Sequence, residues 1–180
     1  MNKALILISA LLLAISAAFE INYLDYQKPI EHRKYSEISL KNFKGIKRID
    51  ESLHGGSEFA YIVTEIKSFD SAYPFGIKAI FHPSRSYVYN ENTIGDKNLL
   101  THEMYHFHIT EYIARKLRRE ISENKHKNID LDELLKKYRN EENLLQQQYD
   151  KETYHSYFSG KQIEWQHKVD SLLYTLNKYR

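Results

Sequence analysis

A chain of 180 residues with 42% hydrophobic and 28% charged side chains has the apolar material for one buried core, which sets aside disordered and collagen-like classes. Its 26 Lys and Arg exceed its 24 Asp and Glu by only two, so the concentrated positive charge of a nucleic-acid binder is missing. Cysteine is absent, which removes disulfides and thiolate ligands together: any metal must be held by His, Asp or Glu.

The chain opens on Lys3, an apolar run from Ala4 to Ile15 and the small residues Ser16, Ala17 and Ala18. Basic start, apolar centre and small-residue exit is the order of an export signal, and the run is short of the ~20 residues that span a bilayer. The expectation is a signal over residues 1–18, cleavage near Ala18 or Phe19, and a secreted or periplasmic domain over residues 19–180 without stable membrane insertion. An uncleaved N-terminal anchor is the alternative.

A short strand is expected at residues 38–40, a turn at residues 43–45, and a break at His54-Gly55-Gly56. Residues 58–69 then alternate, with Ala60, Ile62, Thr64 and Ile66 on one face, and residues 74–83 repeat the pattern through Phe75, Ile77, Ala79 and Phe81. The two runs read as an antiparallel pair, with residues 86–89 as a short third piece. Beyond residue 95 the period lengthens to about 3.6: Asp96 is placed to cap a helix whose stripe is Leu99, Ile109, Ile113, Leu117 and Ile121. A second helix starts near Asp130 and a last one follows the break at Ser159-Gly160, carrying Trp165, Leu172, Leu173 and Leu176. The charged runs of residues 115–143 read as solvated helix faces. Strands first and helices second give an α+β class, a small antiparallel sheet followed by long helices.

Within the first helix, His102 and His106 fall at steps of three and four with Leu99, Ile109 and Ile113, so both imidazoles lie on the apolar stripe. Glu103 is beside them, and "HEMYH" is the H-E-x-x-H arrangement: two nitrogens one turn apart on a zinc ion, and a carboxylate that takes a proton from water. Chance supplies these three residues in this register about once in 8,000 positions, roughly a 2% accident for this length. His108 is about 200° round the helix from His106 and is assigned to the solvated or lateral face. His54, His82, His126 and His167 read as ordinary core or surface histidines. A catalytic zinc needs a third protein ligand, and Asp150, Glu152 and His155, one long helix later, are the candidates.

These segments resemble the bacterial family described as predicted secreted zinc-dependent proteases. The likeness runs from residues 40–45 through Phe81, Pro83 and Ser86, the H-E-x-x-H-F segment 102–107 with Ala114–Leu117, and Tyr149, Asp150, Thr153 and His155, to Gln162. It implies a zincin-like active-site helix, one zinc ion on His102, His106 and His155, and Glu103 as the catalytic base. The chain departs from the family pattern at Tyr87, where tryptophan is common, at His108, where aspartate usually stands, and at Ser156, where glycine often stands.

The function expected is a zinc metallopeptidase acting on peptide or protein substrates. Asp150, Tyr149 and Tyr154 are candidates for supporting the site or the oxyanion, although packing is the commoner role of a tyrosine in a chain with 15 of them. The alternative is a secreted zinc-binding module without turnover.

Overall fold

The computed structural model describes residues 6–9, 24–47, 60–69, 76–124 and 129–180. Among the described residues from 24 onward, five short strands precede three long helices: β1 (Ile30–Glu31), β2 (Ala60–Tyr61), β3 (Thr64–Ser68), β4 (Ile77–Phe81), β5 (Tyr87–Val88), α1 (Lys97–Glu123), α2 (Leu131–Thr153) and α3 (Ser159–Thr175). The class is α+β, a small antiparallel sheet followed by long helices. Most of the signal segment, residues 54–56 and His126 lie outside the described residues. Among the described residues no helix is long and apolar enough to cross a membrane.

β4 is the central strand of a sheet ordered β1-β4-β3, with both pairings antiparallel and Ile66 opposite Ala79. The expected pair of strands is therefore present, but the first run divides between two sheets. Ala60 and Tyr61 pair with Val88 and Tyr87 of β5, and β3 pairs with β4. The division falls where side chains capture the backbone: Ile62 donates its N–H to Glu103 (3.0 Å) and Val63 to Ser86 Oγ (2.8 Å). The short piece at residues 86–89 thus belongs to the second sheet.

Residues 38–40 do not form the expected strand. Leu40–Asn42 is a 3₁₀ turn, because Asn42 Oδ1 accepts from both Ser39 N (2.8 Å) and Ser39 Oγ (3.0 Å), local bonds that compete with a strand ladder. Gly45, expected in a turn, is instead a point of close approach. It donates to Ser86 O at 2.7 Å, and a Cβ there would lie 2.8 Å from the Arg85 carbonyl carbon.

α1 is the axis of the molecule. Asp96 caps it by accepting from Asn98 N (2.8 Å) and Leu99 N (3.1 Å), and the stripe Leu99, Ile109, Ile113, Leu117 and Ile121 is buried. It packs against β3 and β4 on one side and α2 and α3 on the other. Asp130 caps α2 in the same way, while Leu144, placed on its apolar pattern by sequence, is exposed. The break before α3 is the turn at residues 154–157, ahead of Ser159-Gly160.

Two faces expected in water are covered. Glu111 binds Arg115 Nε at 2.8 Å and Arg118 Nη2 at 2.6 Å in the interior, and Arg118 also donates to Ile77 O and Tyr179 O, tying helix to sheet and C-terminus. His108 is 8% exposed, its Nδ1 2.8 Å from His32 Nε2. The angular argument against its joining His102 and His106 holds, but the segment around His32 folds over that face, a contact that helical period does not encode. Burial holds both histidines neutral, lowering His32 to about 2 and His108 to about 4.

Candidate metal centre

A cleft of about 270 Å³ opens between residues 60–64, α1 and α2. From α1 it takes His102, Glu103 and His106. α2 contributes Glu142, Asn143, Gln146 and Asp150, and His155 comes from the turn that follows. Glu142, Gln146 and Asp150 are spaced by four, so one stripe of α2 faces the histidine stripe of α1 across the cleft.

The donor atoms converge. His102 Nε2 and His106 Nε2 are 3.2 Å apart, and Asp150 Oδ1 lies 3.2 Å from the first and 2.9 Å from the second. His155 Nδ1 is 3.5 Å from the same oxygen. His102, Asp150 and His155 offer ligand atoms all within 4.8 Å of one another, a group running from buried His102 to exposed His155 that could hold a metal ion. Metal–nitrogen bonds of about 2.0–2.1 Å in a tetrahedron put neighbouring donors about 3.3 Å apart, close to the spacings among His102 Nε2, His106 Nε2 and Asp150 Oδ1 and from that oxygen to His155 Nδ1.

The surroundings orient each ring. His106 Nδ1 donates to Gln146 Oε1 at 2.6 Å, leaving Nε2 toward Asp150, and Gln146 Nε2 returns a bond to His106 O at 3.0 Å. His102 stacks on Tyr149 with ring centres 4.7 Å apart and planes 21° off parallel, and the Tyr149 hydroxyl donates to His102 O at 3.3 Å. His102 Nδ1 is buried with no hydrogen-bond partner among the described residues.

Electrostatics separate the four groups. Burial lowers His102 to about 4. Burial acts the same way on His106, but the Asp150 carboxylate beside it outweighs that and lifts the ring to about 9. Asp150 is pulled far below the usual carboxylate range by His106, His102 and His155, against its own burial. Glu103, 3% exposed and holding a single hydrogen bond from Ile62 N, is raised by burial to about 8. A buried carboxyl group with its proton affinity raised in this way, in a cleft beside clustered donors, marks a functional-site candidate.

The sequence-derived candidates thus part company. His102, Glu103, His106, Asp150 and His155 come together. Glu152 does not: its carboxylate accepts from Trp165 Nε1 and Gln148 Nε2, both at 2.8 Å, on another side of α2. Tyr149 is fully buried and engaged with His102, so its role is packing and orientation. Tyr154 is 63% exposed, sits outside the cleft and packs with Tyr157 and Phe158. Sequence reasoning missed Gln146 and Glu142; their signal was the spacing of four that leads back from Asp150. The chain matches no family model, no curated protein and no solved structure.

Proposed function

We propose that this chain is an exported zinc-dependent peptidase, with His102, His106 and His155 holding the ion and Glu103 as the base. One observation supports this above the rest: imidazole nitrogens from one helix and a turn gather around Asp150 Oδ1 of a second helix at 2.9–3.5 Å, in an open cleft that also contains a buried carboxylate of raised pKa. The donor set fits zinc, since it is made of imidazole and carboxylate and contains no sulfur. The likeness to secreted zinc-dependent proteases rests on the motif residues alone.

Bound zinc supplies Lewis acidity toward a carbonyl oxygen and brings the pKa of water toward neutrality. Glu103 takes the proton from the attacking water and passes it to the leaving amine. The backbone N–H of Ile62 fixes its carboxylate on the cleft wall. Gln146 keeps the His106 ring turned inward, and residues 60–64, strand residues at both ends, offer main chain along which an extended peptide can lie.

A second reading is favoured by Asp150. Together with three histidines it makes four protein donors, enough to close a tetrahedral site, as in a zinc module without turnover. Metal analysis of the mature protein followed by peptide hydrolysis with Glu103→Gln separates the two. About one equivalent of zinc in parent and variant, with hydrolysis reduced at least about a hundredfold in the variant, supports the peptidase. Equal hydrolysis by both, or none by a zinc-replete parent across a broad peptide library, rejects it. Intact mass of exported material starting near Phe19 checks the localisation, and retention of Met1 refutes cleavage.

A further inference from the structure

The cleft has a second end. Glu142 lies eight residues before Asp150 on the same stripe of α2, about 12 Å along the helix at 1.5 Å per residue. It is 7% exposed, yet it belongs to the cleft wall, with Asn143 beside it. Its Oε1 accepts from Thr110 Oγ1 at 2.5 Å, and Thr110 is also 2.7 Å from Thr64 Oγ1, so neutral groups, these hydroxyls and the Gln146 side chain, hold the carboxylate in place. Among the described residues it forms no ion pair. Arg139, one turn earlier, is 3.6 Å from Glu65 and donates to Ile66 O.

Charge along the wall is lopsided. Its carboxylates are Glu103, Glu142 and Asp150, and no Lys or Arg is among the lining residues. Asp150 is answered by imidazoles and Glu103 by the Ile62 N–H, whereas Glu142 has no cation on the cleft wall, Arg139 acting on it from outside the lining. Burial raises Glu142 to about 6, so it is mostly ionised at pH 7.5. A buried anion in a low-dielectric groove draws cations strongly, provided that they arrive in register. An extended peptide advances about 3.3 Å per residue, so with a carbonyl at the metal end, one or two residues and a long side chain cover the distance.

We propose that Glu142 forms a subsite, at the end of the cleft away from the metal ligands, for a cationic group of a bound peptide: an arginine or lysine side chain, or a free amino terminus. This rests on the peptidase reading for the direction in which a peptide lies, and it names the substrate class as basic peptides.

The test is calorimetric binding at pH 7.5 to zinc-supplemented Glu103→Gln protein, so that nothing turns over. The probes are hexapeptides carrying arginine, lysine, citrulline, leucine or glutamate at one position, moved along the peptide, each with a free or acetylated amino terminus. Arginine should bind at least about tenfold more tightly than citrulline at one position, and this ratio should collapse below about twofold when Glu142→Gln is added. If the free amino terminus carries the preference instead, acetylation abolishes it and the side-chain series is flat. Equal binding of all probes, a preference that survives Glu142→Gln, a uniform loss on every probe, or no binding at all overturns the subsite. Hydrolysis by protein with Glu103 restored distinguishes the two proposals. Arginine-selective binding without cleavage leaves the subsite and rejects the peptidase, and cleavage indifferent to charge does the reverse.

Discussion

Replacing Gln146 by methionine removes the one side chain that holds His106 from both sides while keeping nearly the same length. Three bonds disappear: His106 Nδ1–H to Gln146 Oε1 at 2.6 Å, Gln146 Nε2–H to His106 O at 3.0 Å, and Gln146 Nε2–H to Thr110 Oγ1 at 3.2 Å. The first fixes which ring nitrogen carries the proton, and so which nitrogen presents a lone pair to the cluster. Loss of such an orienting partner typically costs 10–100-fold in metal affinity, about 1.4–2.7 kcal/mol. A buried imidazole N–H left without an acceptor adds a stability cost of about 1–3 kcal/mol. Competition for zinc against a chromogenic chelator at pH 7.5 measures the first, and thermal denaturation the second. Gln146→Glu is the control: it keeps an acceptor, now charged, on His106 Nδ1 and gives up the donated bonds. It should hold zinc at least as tightly as the methionine variant by tenfold. A methionine variant that binds zinc like the parent refutes the orienting role, and equal losses in the methionine and glutamate variants reduce it to packing.

Acid should loosen the N-terminal cover of α1. His32 has its pKa lowered by burial from 6.5 to about 2, so its contribution is complete above pH 6.5 and is lost as pH falls from there toward the folded value. At about 1.4 kcal/mol per pH unit this is about 2 kcal/mol between pH 6.5 and 5, read by denaturant unfolding, and His32→Phe should remove that share of the slope while leaving the shares of His108 and His102; an unchanged slope refutes it. Ser156 has φ 76°, in the left-handed region, so Ser156→Gly should raise stability by about 0.5–1 kcal/mol by thermal melting, and Ser156→Val should lower it. Gly45→Ala should cost about 1–3 kcal/mol in the same assay, because the new Cβ would meet Arg85 and Ser86 backbone at 2.8–2.9 Å; wild-type stability would mean that the two segments part freely.

What was legible in the sequence was what repeats within one element. The stripe of α1 could be read from its period, and with it the inward direction of His102 and His106; the caps Asp96 and Asp130 could be read from residue type and place. What escaped was set by contacts between elements. His108 is buried because His32, 76 residues away in the chain, lies on it. Glu111, Arg115 and Arg118 look like a solvated charge pattern until β4 and the C-terminal segment supply carbonyls to Arg118. The strand run broke at Ile62 because its N–H had a better-placed partner, a carboxylate on a helix 41 residues on. Among the distal candidates, spacing alone could not choose; Trp165 removed Glu152 by occupying its carboxylate.

The same contacts explain why the site and the fold are one construction. The cleft wall carries three carboxylates and no Lys or Arg, with imidazoles, the Ile62 N–H and the Thr110 hydroxyl to answer them. Burying the Glu103 carboxyl on α1 carries a desolvation cost, seen in the proton affinity that Glu103 acquires, while Asp150 of α2 is held ionised by His106 and His102 of α1. A cation held by these donors would add positive charge near Glu103 and so favour its ionised form. The apolar contacts of Ile109, Tyr149 and Trp165 join α1, α2 and α3 beside this cluster, so burial and the imidazole–carboxylate pairs hold α1 and α2 together at the same place. Metal uptake should therefore tighten the α1–α2 pairing and the turn at residues 154–157 far more than the sheet, whose strands touch the site only through residues 60–64.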